Sequence, residues 1–220
     1  KEKYLAEING AYFLSSKFPS GKRASLQPSF SAGWVISKED FFEPIKDVMN
    51  YMKFRASYGT LGNQDIGSFD YLEKMSIKTL NYNLDGSPVS YTSSPDPKSL
   101  NFTWEKATTI DFGLDMNFFK NKMTTSFDVY ERTTSGMLTK SHSLPSVYGA
   151  PVPKENNATL VTKGWEATIN FRNNFNLGNK PFNYSFKLAV SDNTSEITKY
   201  ENPTGFLGIG SSDEEFYEGQ

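Results

Sequence analysis

Few side chains in this 220-residue sequence are placed to do chemistry. Glu39-Asp40 and Asp213-Glu214-Glu215 offer carboxylates of the kind used in acid–base catalysis. Neither group has a nucleophile, a histidine or a set of oxyanion donors beside it, so both read as solvated surface. His142 is the one histidine and there is no cysteine, which excludes a multi-histidine metal site, a zinc–thiolate site and a disulfide framework. The acidic run 213–215 lacks the ligand spacing of a calcium loop, and Gly59-Thr60-Leu61-Gly62 lacks the lysine and following helix of a phosphate loop. No catalytic residue, metal ligand or cofactor is expected. Lys plus Arg is 23 and Asp plus Glu is 25, a net charge of −2 that gives no general attraction to nucleic acid.

The charges that remain follow a pattern. Lys53, Arg55, Asp111, Asp115, Glu166, Arg172 and Lys187 lie on the polar side of segments with strict period-2 alternation. Over 109–118, Ile110, Phe112, Leu114, Met116 and Phe118 alternate with Thr109, Asp111, Gly113, Asp115 and Asn117. Residues 24–37, 52–59, 161–172 and 182–191 repeat the arrangement, whereas 4–14 and 123–138 fit it less cleanly. Seven strands are predicted, near 3–14, 23–36, 51–62, 104–119, 123–138, 157–172 and 182–195. Globular strands average about 5–6 residues, whereas a tilted membrane-crossing strand needs about 9–11. Aromatics make up 15% of a chain whose mean hydropathy is −0.54. One apolar and one wet face satisfies both numbers, in a large soluble antiparallel sheet or, favoured by strand length, in a membrane barrel wall.

The connections agree with a barrel. Asn121-Lys122 predicts a tight turn and 173–180 a second turn rich in Asn and Gly, whereas 63–98 and 139–156 are long. Barrels have short turns on the periplasmic side and long loops outside. If 120–122 is periplasmic, strand alternation sends both long connections outside, and 37–50 inside with a short helical turn near Glu39-Asp40-Phe41-Phe42. Aromatics near strand ends, among them Trp34, Phe41, Phe42, Tyr51, Trp104, Phe118, Phe119, Phe171, Phe175, Phe182 and Tyr184, suit an interfacial girdle or packing at sheet ends. Tyr82, Tyr91 and Tyr148 fall in the outer loops, where a flat ring with a hydroxyl suits contact with a substrate or a lid protein, or packing within the loop.

Several runs carry a resemblance. QPSFSAGWVISKEDFF (27–42), KFRASYGTLGNQ (53–64), LNFTWEK (100–106), GLDMNFFKN (113–121), DVYERTTSGML (128–138), LPSVYGA (144–150) and KGWE (163–166) occur in the order and spacing of one family. They resemble the C-terminal barrel of SusC/RagA-type TonB-dependent outer-membrane transporters of Bacteroidetes-type bacteria. The resemblance implies an all-β fold, a partial antiparallel transmembrane β-barrel of about seven long strands from a larger plugged wall. Plugged transporter barrels have about 22 strands. It implies that 1–220 is a fragment of that barrel domain, with the plug and TonB-contacting segment absent.

By the same resemblance the whole protein imports an oligosaccharide or peptide across the outer membrane. A SusD-like surface lipoprotein would serve as lid and the TonB complex would act through the plug. The seven charged residues would then face the lumen, either pairing with the plug or forming a solvated wall. The alternatives are a passive porin-like or structural outer-membrane barrel, and a soluble β-rich sugar-binding module.

Overall fold

A computed structural model describes residues 2–84, 86–99, 102–140, 147, 149–200 and 219. Its strands are β1 (Tyr4–Leu14), β2 (Ala24–Trp34), β3 (Met49–Asn63), β4 (Ser76–Leu84), β5 (Ser87–Ser93), β6 (Glu105–Phe118), β7 (Met123–Lys140), β8 (Lys154–Leu177) and β9 (Lys180–Tyr200). Seven of them form one antiparallel sheet in the order β1-β2-β3-β6-β7-β8-β9, while β4 and β5 form a separate hairpin. The sheet does not close, because β1 and β9 are its two edges. All seven expected strands are present. The last two run further than expected, so the turn placed at 173–180 shrinks to Gly178-Asn179. The β4–β5 hairpin lies within the connection 63–98, for which the sequence predicts only a long loop.

Register turns alternation along each strand into rows across the sheet. One row reads Tyr4, Trp34, Phe54, Leu114, Phe127, Ala167, Val190 and is apolar from edge to edge. The adjacent row on the opposite face reads Leu5, Gly33, Arg55, Gly113, Asp128, Glu166, Ser191. Nothing among the described residues covers the apolar rows: Phe54, Phe127, Val190 and Phe186 remain between 40% and 61% exposed. The buried apolar residues instead sit at the two ends. Val35 and Phe42 pack at one end, and Phe18, Phe102 and Trp104 at the other. β8 has 24 residues, roughly 80 Å of strand, against an apolar band of about 25 Å in membrane barrels.

The ladder between β2 and β3 is the short one. It runs only from Ser29↔Gly59 to Trp34↔Phe54. Pro28 directly follows its last pair and has no N–H to donate, which suits a strand laddered on one side only. Beyond that point β2 pairs with β1 alone and β3 with β6 alone.

Candidate functional site

The centre of the polar face is organised by Arg55. Its guanidinium donates to Asp115 at 2.8 and 3.3 Å and to Asp128 at 2.6 Å, with Asp111 at 3.9 Å. The three carboxylates come from β6 and β7, so the arginine spans three strands. Gly113 makes the span possible. A Cβ there would lie 2.6 Å from Arg55 Cζ and would also collide with Asp128 Oδ1. The bare backbone lets the guanidinium lie flat across β6, and all four charged side chains are between 21% and 33% exposed.

Of the predicted charged row, the structure therefore joins Arg55, Asp111 and Asp115. Lys53 and Glu166 flank them, each pairing in register with a member: Lys53 with Asp115 and Glu166 with Asp128. Asp128 was missing from the expected set. Arg172 and Lys187 share the face but not the network. Arg172 lies at the far end, where its Nε donates to the Asn121 carbonyl at 3.3 Å and its N–H to that of Lys122 at 2.7 Å. Lys187 pairs in register with Asn170.

The end near Arg172 is tied by asparagines. Phe119, Lys120 and Asn121 are three consecutive non-glycine residues with positive φ, from 53° to 67°. L-residues avoid this region. Asn50 compensates by donating to Asn121 Oδ1 at 2.7 Å and accepting from Asn121 N–H at 3.3 Å, while Asn117 donates to the same Oδ1 at 3.0 Å. Within the neighbouring connection, Ile36–Lys38 and Asp40–Ile45 form two 3-10 turns, in agreement with the expected short helical turn. Between them Glu39 accepts from Lys3 Nζ at 2.8 Å, Tyr4 OH at 3.1 Å and Trp34 Nε1 at 3.1 Å. Glu39 is thus a tie between β1 and the end of β2, not the solvated surface expected. Hydrogen bonds from Lys3 and Trp34 hold its carboxyl below the ordinary 4.5, and the same contact raises Lys3 above its ordinary 10.5.

Aromatic rings collect at this end as predicted. Trp34 meets Phe41 edge-on at 6.5 Å, and Phe175 contacts Phe182 at 5.1 Å. Trp104 follows the other of the two alternatives, packing at a sheet end. It lies at the opposite end, 4% exposed, stacked on Phe18 at 4.8 Å, with Nε1 donating to the Arg23 carbonyl. Ile66, Tyr71 and Leu138 pack around it, so three connections share one small core. Beside it Gly136, at φ +67°, bulges β7. The bulge is satisfied by two side chains. Asn156 Nδ2 donates to the Gly136 and Thr103 carbonyls, and Glu105 accepts the Leu138 N–H at 2.8 Å.

Tyr82 and Tyr91 lie on the β4–β5 hairpin, 57% and 42% exposed. Tyr148, like His142 and the acidic run 213–215, lies outside the described residues. No helix among the described residues is long and apolar enough to cross a membrane, and no group of three or more His, Asp or Glu among them could hold a metal ion.

A long-stranded open sheet with an uncovered apolar face and a charged opposite face finds close counterparts. The solved RagAB peptide importer in its 'open-open' state superposes with a TM-score of 0.79 at 22% identity, over 96% of this chain and 22% of that one. In the 'closed-closed' state the TM-score is 0.75 at 22% identity, over 94% and 21%. In sequence, TonB-dependent receptor P26 of Formosa agariphila is 29% identical over 197 residues, 90% of this chain and 19% of that protein. TonB-dependent receptor SusC of Bacteroides thetaiotaomicron is 30% identical over 204 residues, again 90% and 19%. The chain thus spans about a fifth of the length of these relatives. Residues 7–210 match the family model described as TonB dependent receptor-like, beta-barrel, and the chain belongs to that family.

Proposed function

We propose that residues 1–220 form a section of the wall of a TonB-dependent outer-membrane transporter. The observation that carries this reading is the pairing of opposite faces: an uncovered apolar row from Tyr4 to Val190, and behind it a row holding Arg55, Asp128 and Glu166. Lipid accepts the first, and charge on that face would be costly. The second requires water or a polar filling. The open edges on β1 and β9 would pair with further strands of the same barrel. No chemistry is done on the transported molecule, in keeping with relatives named as receptors and an importer.

In this reading Lys53, Arg55, Asp111, Asp115, Glu166, Arg172 and Lys187 face the lumen. The carboxylates left over after Arg55 is satisfied hold cationic side chains of a plug, through which the TonB complex supplies energy. The ends near Phe18 and Trp104, with the β4–β5 hairpin, stand at the outer mouth. Tyr82, Tyr91 and Tyr148 there contact substrate or a SusD-like lipoprotein lid. The cargo is a large nutrient, an oligosaccharide or a peptide.

The test is uptake by cells carrying the full-length protein, with and without TonB and with and without an uncoupler of the proton gradient. Uptake that stops in both cases supports an energised transporter. Uptake that continues in both supports a passive porin-like barrel instead.

A further inference from the structure

The polar face carries a second feature that the Arg55 network does not use. One residue row above that network, towards the outer mouth, a groove of about 690 Å³ is hollowed into the wall. Its size falls within the range of about 300–1,000 Å³ typical of ligand pockets. Two causes produce it. The β2–β3 ladder stops at Ser29↔Gly59, and the side chains facing it there are small. Asn9, Ser29, Gly59, Thr109 and Arg132 form a continuous register row through the groove, and Ser31 and Ser57 line it one row below.

Arg132 is the one charged residue lining this groove. Its guanidinium has no ion-pair or hydrogen-bond partner among the described residues. Arg55, two rows away on the same face, has three carboxylates around it. An unpaired guanidinium among hydroxyls and amides is matched by a carboxylate, which it can take in two parallel N–H···O bonds. Ser and Thr side chains each donate and accept, as vicinal sugar hydroxyls require, while Asn9, whose amide N–H already donates to Glu7 at 2.7 Å, keeps its oxygen as an acceptor. Phe13 and Leu61 border the groove and supply an apolar surface for a sugar ring.

The height of Arg132 matters as well. Its neighbour Glu131 faces the opposite side and pairs with Lys163 at 3.4 Å, both largely exposed. Register sets Arg132 between the Arg55 network and the end that holds Phe18 and Trp104, which on the transporter reading is the side from which a ligand enters.

We infer that this groove is a binding site for an acidic oligosaccharide, with Arg132 taking a uronate carboxylate and the Asn9–Thr109 row its hydroxyls. The inference rests on the transporter reading for the direction from which the ligand arrives, but binding itself can be measured without transport. The experiment is calorimetric titration of the purified full-length protein with short oligogalacturonate, with its methyl ester, and with a peptide bearing a free or an amidated C-terminus. Wild type should bind the uronate about tenfold more tightly than the ester, the worth of one charge-assisted contact. Arg132→Gln should bring the uronate down to the level of the ester and leave the ester unchanged. Lys163→Gln, on the opposite face, should change neither. Equal binding of uronate and ester by wild type, an unaltered preference in Arg132→Gln, or discrimination confined to the peptide pair would each overturn the inference. Uptake that ignores TonB, with Arg132-dependent uronate binding intact, would defeat the transporter reading alone.

Discussion

Arg55 and Gly113 are directly opposite across the β3–β6 ladder, and the arginine's guanidinium occupies the space a Gly113 side chain would fill. A single absent Cβ lets one cation on β3 reach carboxylates on both β6 and β7. The ladder alone joins neighbouring strands, whereas this contact joins three.

Arg55→Met should therefore destabilise the full-length barrel by about 2 kcal/mol, the worth of charge-assisted hydrogen bonds in a half-buried place. Gly113→Ala should cost a similar amount by expelling the guanidinium. The double variant should be much closer to either single variant than to their sum, because both remove the same contact. Denaturant unfolding of the protein in lipid vesicles measures all three. Additive losses would mean that the two residues act separately.

The Lys3–Glu39 tie predicts a pH dependence with a definite sign. Glu39 titrates lower in the folded chain than in the unfolded one. Its contribution is therefore complete above its ordinary value of 4.5 and is lost as pH falls through the lower folded value. Lys3, raised above 10.5, contributes fully below that value and loses its contribution as pH climbs past the raised one. Glu39→Gln should flatten the acid limb of a melting-temperature profile and leave the neutral plateau slightly lower. An acid limb identical to wild type would show that other carboxylates govern it.

Asn50→Ala removes the main support of a turn in which Phe119, Lys120 and Asn121 all hold positive φ. A loss of about 1–2 kcal/mol is expected from the two hydrogen bonds. Asn50→Asp retains the acceptor for the Asn121 N–H and should recover part of it. Limited proteolysis gives an independent readout, with cleavage near 119–122 appearing in the alanine variant.

On the proposed orientation, Trp104→Ala should open the outer end. The ring stacks on Phe18 and is almost wholly buried, so its removal is expected to cost on the order of 3 kcal/mol locally. Protease added to intact cells should then cut the connections around Phe18 and Ile66 faster, while strand assembly in the membrane persists. Trp104→Phe should be milder, losing the indole donation to the Arg23 carbonyl but keeping most of the stack.

Much of this architecture was legible in the residues. Ile110, Phe112, Leu114 and Met116, with polar residues between them, give the strand, its length and its two faces at once. Period-2 alternation does not give height, however. Arg55 and Arg172 have the same face and chemistry, and only register places one in the acidic network and the other beside Asn121. Asp128 is not legible in the sequence because β7 carries Thr and Ser on both faces and is bulged at Gly136, which blurs its alternation. Sequence leaves Trp104 open between girdle and packing, because an aromatic at a strand end looks the same whether it meets lipid headgroups or a phenylalanine from another loop. The β4–β5 hairpin stayed hidden because its Ser- and Asn-rich strands are short and pack on no broad apolar surface.

The central claim, that this sheet is one section of a larger outer-membrane transporter wall, is tested most directly by the size and location of the native polypeptide. An antibody against residues 105–118 would be used on fractionated membranes of the source cells, with the product resolved under denaturing conditions. The account predicts a product in the outer-membrane fraction several times heavier than 24.8 kDa. A soluble product near 24.8 kDa would contradict it, and would mean that the apolar rows from Tyr4 to Val190 are covered by protein rather than by lipid.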